Sequence, residues 1–343
     1  MSGGHHEPED CTGPVPPAPS RAAHPGRRGS RRRARRLFAR RRRRTDLSHA
    51  RRDAGGYAAG GTGDVVARII SEHLAKRLGK AVIVDNKPGA SGSLAAGHVA
   101  RANPDGLTLL AGQTAEISIN PFLMKLTYDP QTDLLPIAIA AVVPLGLVAP
   151  EKAPYSTVPE MLEAAKASSS GLTFASSGIG TPSHFATDLL KLKTKANFTN
   201  VPYKGAGPAL NDILGGHVDL FFSGLPAALQ SVRAGRMKLM AVSSGERSSA
   251  APDVPTIAEA AKIPGFDITL WVGMFAPKGT PADVVALLNK EINAIITSPE
   301  VKARFLTEGA DVKPLSIEQT AAFTRAESAK YKALIDETGV KLQ

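Results

Sequence analysis

The stretch TGDVVARIISEHLAKRLGKAVIVDNKPGASGSLAAGHVARANPDGLTLLA, Thr62–Ala111, decides the fold. Val65, Val66, Ile69, Ile70 and Leu74 recur at helical spacing, so residues 62–78 form an amphipathic helix that Gly79 stops. Ala81–Asp85 is a short run rich in β-branched residues, the signature of a buried strand. Asn86–Gly89 forms a loop, a small-residue helix spans about Ser93–Arg101, and Pro104-Asp105-Gly106 turns into the strand Leu107–Ala111. Strands alternating with helices are βαβ units, and such units build a mainly parallel sheet.

The rhythm restarts near Leu145. Gly146–Pro150 is strand-like, and Thr157-Val158-Pro159-Glu160 is a capping box that opens a helix to about Ala167. Strands follow at Leu172–Ala175, Phe198–Val201, Val218–Phe222 and Lys238–Val242. Helices between them cover Ser183–Leu192, Pro208–Leu214 and Pro226–Arg233. A last strand, Ile268–Ala276, precedes helices at 281–297, 299–308 and 317–338. The expected organisation is α/β with two lobes: residues 57–143 and 266–343 in the first, 144–265 in the second.

Charge and composition exclude other classes. The 343 residues carry a net charge of +11, yet residues 1–52, with 15 arginines and four acids, account for all of it. The rest balances at 27 basic and 27 acidic residues. Residues 1–56 show no period of 2 or 3.6, and the block RRRARRLFARRRRR (Arg31–Arg44) repels itself in solution. Three readings stand for this segment: a disordered tail, out-of-frame translation of GC-rich DNA, or a nucleic-acid arm acting through phosphate neutralisation. Arg usage without a single Lys favours the second over the third. The segment has no apolar core of a secretory leader, since Arg40–Arg44 stand where apolar residues belong.

Cys11 is alone, which excludes an intramolecular disulfide, and the eight histidines have no metal-ligand spacing. The most apolar stretch, Leu135–Pro150, is broken by Pro136 and Pro144 and is too short to span a bilayer. No cofactor is expected.

Two loops carry the functional reading. Tyr57-Ala58-Ala59-Gly60-Gly61-Thr62-Gly63-Asp64 runs into the first helix of lobe 1, and Ala175-Ser176-Ser177-Gly178-Ile179-Gly180-Thr181-Pro182-Ser183 does the same in lobe 2. Helix N-termini present unpaired N–H groups and the positive end of the macrodipole, so they attract anions. Glycines allow close backbone approach, and the hydroxyls of Thr62, Ser176, Ser177 and Thr181 can donate to a carboxylate. Ordinary capped turns are the alternative at this point. Dinucleotide, nucleophile-elbow and P-loop patterns all fail: Ser183 replaces the third glycine, and no Gly-Lys-Ser/Thr closes a phosphate loop. His184 has no partner legible in the sequence. Trp271 and Tyr203-Lys204-Gly205 are placed either at the lobe junction or in ordinary core and surface positions.

Several motifs in order carry a resemblance. They are Tyr57–Gly61 with Asp64 and Ala67-Arg68, Val84–Ala90, Asn103–Leu110, Ile119-Asn120-Pro121, Tyr128-Asp129-Pro130, Val201–Gly205, Pro252–Thr256 and Phe275–Pro281. Over residues 57–343 the chain resembles the receptors of tripartite tricarboxylate transporters, the Bug proteins. The resemblance implies a two-lobed periplasmic-binding-protein-like (type II) fold with a ligand cleft between the lobes and no catalysis. It implies a periplasmic monomer that binds a small carboxylate and hands it to membrane permease subunits, with no nucleic-acid partner. By the same match, ligand-binding positions are Tyr57, Ala58, Gly61, Thr62, Asp64, Thr114, Ser176, Ser177, Gly178, Thr181 and Tyr203.

Two departures follow. Ser223-Gly224 stand where many members have an acid and an amide. Residues 48–56, SHARRDAGG, stand where the family has an apolar strand, so the first sheet is expected to lack its central strand and the first lobe to be gapped.

Overall fold

The computed structural model describes residues 62–307 and 309–341, together with the backbone of residues 51–55. The Arg-rich segment and the positions Tyr57, Ala58 and Gly61 lie outside the described residues. In the first lobe, β1 (Arg51–Gly55) is followed by α1 (Thr62–Leu78), β2 (Val82–Asn86), a short 3₁₀ turn (Ala90–Gly92), α2 (Ser93–Ala100) and β3 (Thr108–Gln113). A π-helical turn (Ala115–Ile119) then leads into α3 (Asn120–Leu123) and the long strand β4 (Leu134–Pro150).

The second lobe continues with α4 (Val158–Ala167), β5 (Leu172–Ser176), α5 (Pro182–Thr194), β6 (Phe198–Pro202), α6 (Ala206–Leu214), β7 (Leu220–Gly224), α7 (Leu225–Arg233) and β8 (Met237–Val242). After α8 (Ile257–Ala260), β9 (Thr269–Pro277) returns to the first lobe. Helices α9 (Ala282–Ile296), α10 (Pro299–Thr307) and α11 (Ile317–Thr338) complete the described chain. The capping box at Thr157 forms as the sequence predicts: Glu160 N–H donates to the Thr157 hydroxyl and Thr157 N–H to the Glu160 carboxylate.

The strands run in the order β2-β1-β3-β9-β4-β7-β5-β6, with β8 on the far side of β4. β1, β2 and β3 pair in parallel, as do β5, β6 and β7, while β9 and β4 add antiparallel pairings to both groups. The parallel parts come from βαβ crossovers. The antiparallel parts come from the two strands that carry the chain between lobes.

The expected gap at the first strand is corrected here. Arg51–Gly55 pairs on one side with Val82–Asn86 and on the other with Thr108–Ala111, so β1 occupies the centre of the parallel group. A parallel ladder is built from backbone N–H and C=O groups, which every residue except proline supplies. RRDAG contains no proline, so its charge pattern hides a strand that its backbone can still make.

β4 departs from expectation in length. It is a single 17-residue strand in which Pro136 and Pro144, apparent breakers, are accommodated by position. Pro136 sits beside a bulge against β9, and Pro144 is the last residue paired with β9 before Leu145 begins the pairing with β7. Proline is tolerated at edges and bulges because no ladder donor is needed there. Pro144–Leu145 thus marks the point where the strand passes from one lobe to the other.

Each lobe has its own core. In the first, Val66, Ile69, Ile70 and Leu74 of α1 meet Leu109 of β3 and Leu288, Ile292 and Ile295 of α9. The second is aromatic, with Phe174 between Phe198 at 5.2 Å and Phe222 at 5.3 Å. α11 contributes to both: Phe323 meets the fully buried Trp271, and Tyr331 packs edge-on against Phe185 of α5 at 5.7 Å. Trp271 is therefore core, its indole N–H donating to Glu327 at 3.1 Å. No helix among the described residues is long and apolar enough to cross a membrane.

Candidate functional site

The second-lobe loop is built by its glycines. Gly178 and Gly180 have φ of 131° and 76°, a region that L-residues rarely enter, and they fold residues 176–182 into a tight turn between β5 and α5. Thr181 closes this turn by donating its hydroxyl to the Gly178 carbonyl at 2.7 Å. That leaves α5, which begins at Pro182, with no side-chain cap on its N-terminal amides. Two hydroxyls flank the loop, Ser176 at the end of β5 and Ser183 in the first turn of α5. Both are buried, and neither has a hydrogen-bond partner among the described residues. Ser177 is half-buried beside them.

Tyr203 lies beside this loop, its N–H donating to the Ser176 carbonyl at 2.9 Å. Its hydroxyl donates to Asp212 at 2.6 Å, and that carboxylate pushes the phenol up to about 12. Lys204 is exposed.

In the first lobe, Thr62 opens α1. Asp64, buried in the next half-turn, accepts from Arg68 Nε at 2.9 Å and from the Asn86 amide at 3.1 Å. Its carboxylate thereby ties α1 to β2. Thr114, fully buried after β3, accepts the backbone N–H of Trp271 at 2.9 Å and so pins β9.

The lobes touch at these elements. A methyl placed on Gly224, the N-terminal cap of α7, would stand 3.2 Å from the Thr62 hydroxyl oxygen. A methyl on Gly180 would stand 3.2 Å from Leu123 and 3.5 Å from the side-chain oxygen of Asn120. The Ser223-Gly224 corner is thus small because the N-terminus of α1 passes over it. The structure sets Thr62 beside Gly224 and, separately, Asn120 beside Gly180; Asp64, Thr114 and the Tyr203 hydroxyl are engaged in holding elements. Asn120 and Ser183 were not singled out from sequence as site residues, although the Asn120-Pro121 step was a usable signal. Two surface pockets, of about 380 and 480 Å³, adjoin these residues: one, between α5 and the end of α11, is lined by His184, and the other, around Phe122 and Tyr128, by Pro121.

His184 is the loop's anchor. Its Nδ1 accepts the Gly180 N–H at 3.3 Å while Nε2 faces the Asp188 carboxylate at 3.3 Å. Burial lowers its pKa from the usual imidazole value, against the pull of Asp188. Only the neutral ring can accept at Nδ1. Because the folded value lies below the unfolded one, the unfolded chain binds the extra proton. The contribution of His184 is then fully present above about pH 6.5 and is lost as pH falls through the folded value. Asp188, raised by burial, titrates with the opposite sign, so the comparison must hold it constant. The melting temperature of wild type relative to His184→Asn, which retains an acceptor without a titrating ring, should fall between pH 7 and 5. A difference independent of pH would contradict the assignment.

Two α/β lobes joined by crossing strands, with a glycine-rich turn opening α5 where the lobes touch, define a two-lobed periplasmic-binding-protein-like type II fold. Residues 66–340 match the tripartite tricarboxylate transporter family receptor, and the chain belongs to that family. Members of the family are periplasmic solute-binding receptors. The protein BugT of Bordetella pertussis is 34% identical over 289 residues, covering 84% of this chain and 88% of BugT. Rpa4515 of Rhodopseudomonas palustris, solved with adipate, is 31% identical with a TM-score of 0.82, covering 86% of this chain and 99% of that one. MatC (Rpa3494) from the same organism, solved with malate, is 32% identical with a TM-score of 0.77 over 84% of this chain and 99% of MatC.

Proposed function

We propose that this chain is a receptor that captures a small carboxylate in the cleft where its lobes meet and delivers it to a membrane permease of the tripartite tricarboxylate type. The observation that carries the reading is the pair of buried, unpartnered hydroxyls, Ser176 and Ser183, at the two ends of one glycine turn. Buried polar atoms are nearly always hydrogen-bonded, so two unpaired at one loop call for an acceptor from outside. The uncapped N-terminus of α5 adds backbone donors and a favourable dipole. The carboxylates held by Rpa4515 and MatC agree with this chemistry. The site binds and releases without a chemical step: both ring nitrogens of His184 are engaged, so it is not poised as a base toward Ser183. The periplasm is the compartment this reading assigns, and a monomer is the state it assigns to the receptor.

Thermal denaturation against a panel of mono-, di- and tricarboxylates tests the proposal. A ligand at a hundred times its Kd stabilises the folded state by about 2.7 kcal/mol, a readily measured shift. Ser176→Ala is expected to weaken the bound member by about 0.5–1.5 kcal/mol, the worth of one neutral hydrogen bond. The same substitution should leave the ligand-free melting temperature unchanged or slightly raised, since the hydroxyl has no partner to lose. A panel without any shift would overturn the reading.

A further inference from the structure

Asn120 opens α3 directly after the π-helical turn and is wholly buried. Its amide nitrogen donates to Ser93 Oγ at 2.8 Å and lies 3.3 and 3.4 Å from the carbonyl oxygens of Ser91 and Ala90. Three acceptors around one nitrogen fix which way the amide faces. Its oxygen therefore points away from the 3₁₀ turn, has no partner among the described residues, and lies 3.5 Å from where a Gly180 methyl would stand. Across the junction, the Gly180 N–H is already given to His184.

This oxygen differs in kind from the two unpaired serines. A hydroxyl can donate to a carboxylate, whereas an amide oxygen only accepts and would repel one. The junction thus offers donors at one loop and, among the described residues, an unpaired buried amide oxygen beside it. Resting on the carboxylate reading above, we propose that Asn120 is a specificity residue: it accepts a hydrogen bond from a hydroxyl carried by the ligand beside its carboxylate. A hydroxyl fits better than an ammonium. The Asp64 carboxylate is already committed to Arg68 and Asn86, and the Ser223-Gly224 corner brings no negative charge.

The test compares hydroxylated and deoxy members of matched pairs by calorimetry on the intact protein: lactate with propionate, malate with succinate, citrate with tricarballylate. In whichever pair binds, the hydroxylated member should bind about tenfold or more tightly, because the deoxy analogue leaves the buried oxygen unpaired. Asn120→Ala should bring the hydroxylated ligand down to the affinity of its deoxy partner. Should that variant fail to fold, the wild-type pairs decide alone. Equal affinities within the pair that binds would mean that water serves the oxygen; this overturns the inference and leaves the receptor reading standing. No binding by any compound overturns both.

Discussion

Gly180→Val is expected to abolish carboxylate binding, lowering affinity by about a hundredfold or more while the protein stays folded. Two effects combine at this position. The residue has φ of 76°, where a β-branched side chain is strained by about 1–2 kcal/mol. Its first carbon would also stand 3.2 Å from Leu123 and 3.5 Å from the Asn120 oxygen, holding the lobes apart where they touch. The hundredfold loss corresponds to about 2.7 kcal/mol of binding free energy. Gly216→Val separates the two effects, because Gly216 has φ of 72° but open space around it. It should cost similar stability and leave affinity intact. If both variants bind carboxylate equally well, the junction at Gly180 is not part of the site.

Asp53→Pro is expected to unfold the first lobe at markedly lower denaturant. Asp53 pairs with Val84 on one side and Leu109 on the other, so its N–H belongs to a ladder at the centre of the parallel group. Proline there removes the donor and leaves a buried carbonyl unpaired, at about 1–3 kcal/mol. With a urea dependence of about 1–3 kcal/mol/M the midpoint should fall by about 1 M. Trp271 on β9, fully buried and the chain's single tryptophan, reports this transition by fluorescence. An unchanged midpoint would show that residues 51–55 are not the strand that completes the sheet.

These two sites mark the boundary of what the sequence discloses. α1 was legible to the residue because Val66, Ile69, Ile70 and Leu74 keep helical spacing and Gly79 follows with φ of 64°. The second-lobe loop was legible because two glycines, two serines and a threonine crowd one strand-to-helix step. β1 was not, since hydrophobic patterning is the signal for a parallel strand and RRDAG has none. β4 was not, because its prolines look like breaks until the bulge at Pro136 and the crossing after Pro144 are seen. The side-chain oxygen of Asn120 was hidden for another reason. Which end of an amide is satisfied depends on Ser91 and Ser93, about thirty residues earlier in the chain, and no local pattern records it.

The placement of β9 has a consequence for how the chain is made. In the sheet it lies between β3 and β4, yet it leaves the ribosome after every strand of the second lobe. Until residue 277 has been synthesised, β3 and the first half of β4 lack their shared neighbour, and each shows an open edge of the kind that invites pairing between chains. The second lobe can be finished early, while the first must wait for the closing strand. The exposed interval in the life of this protein therefore belongs to its synthesis, before the two ends of its first sheet have met.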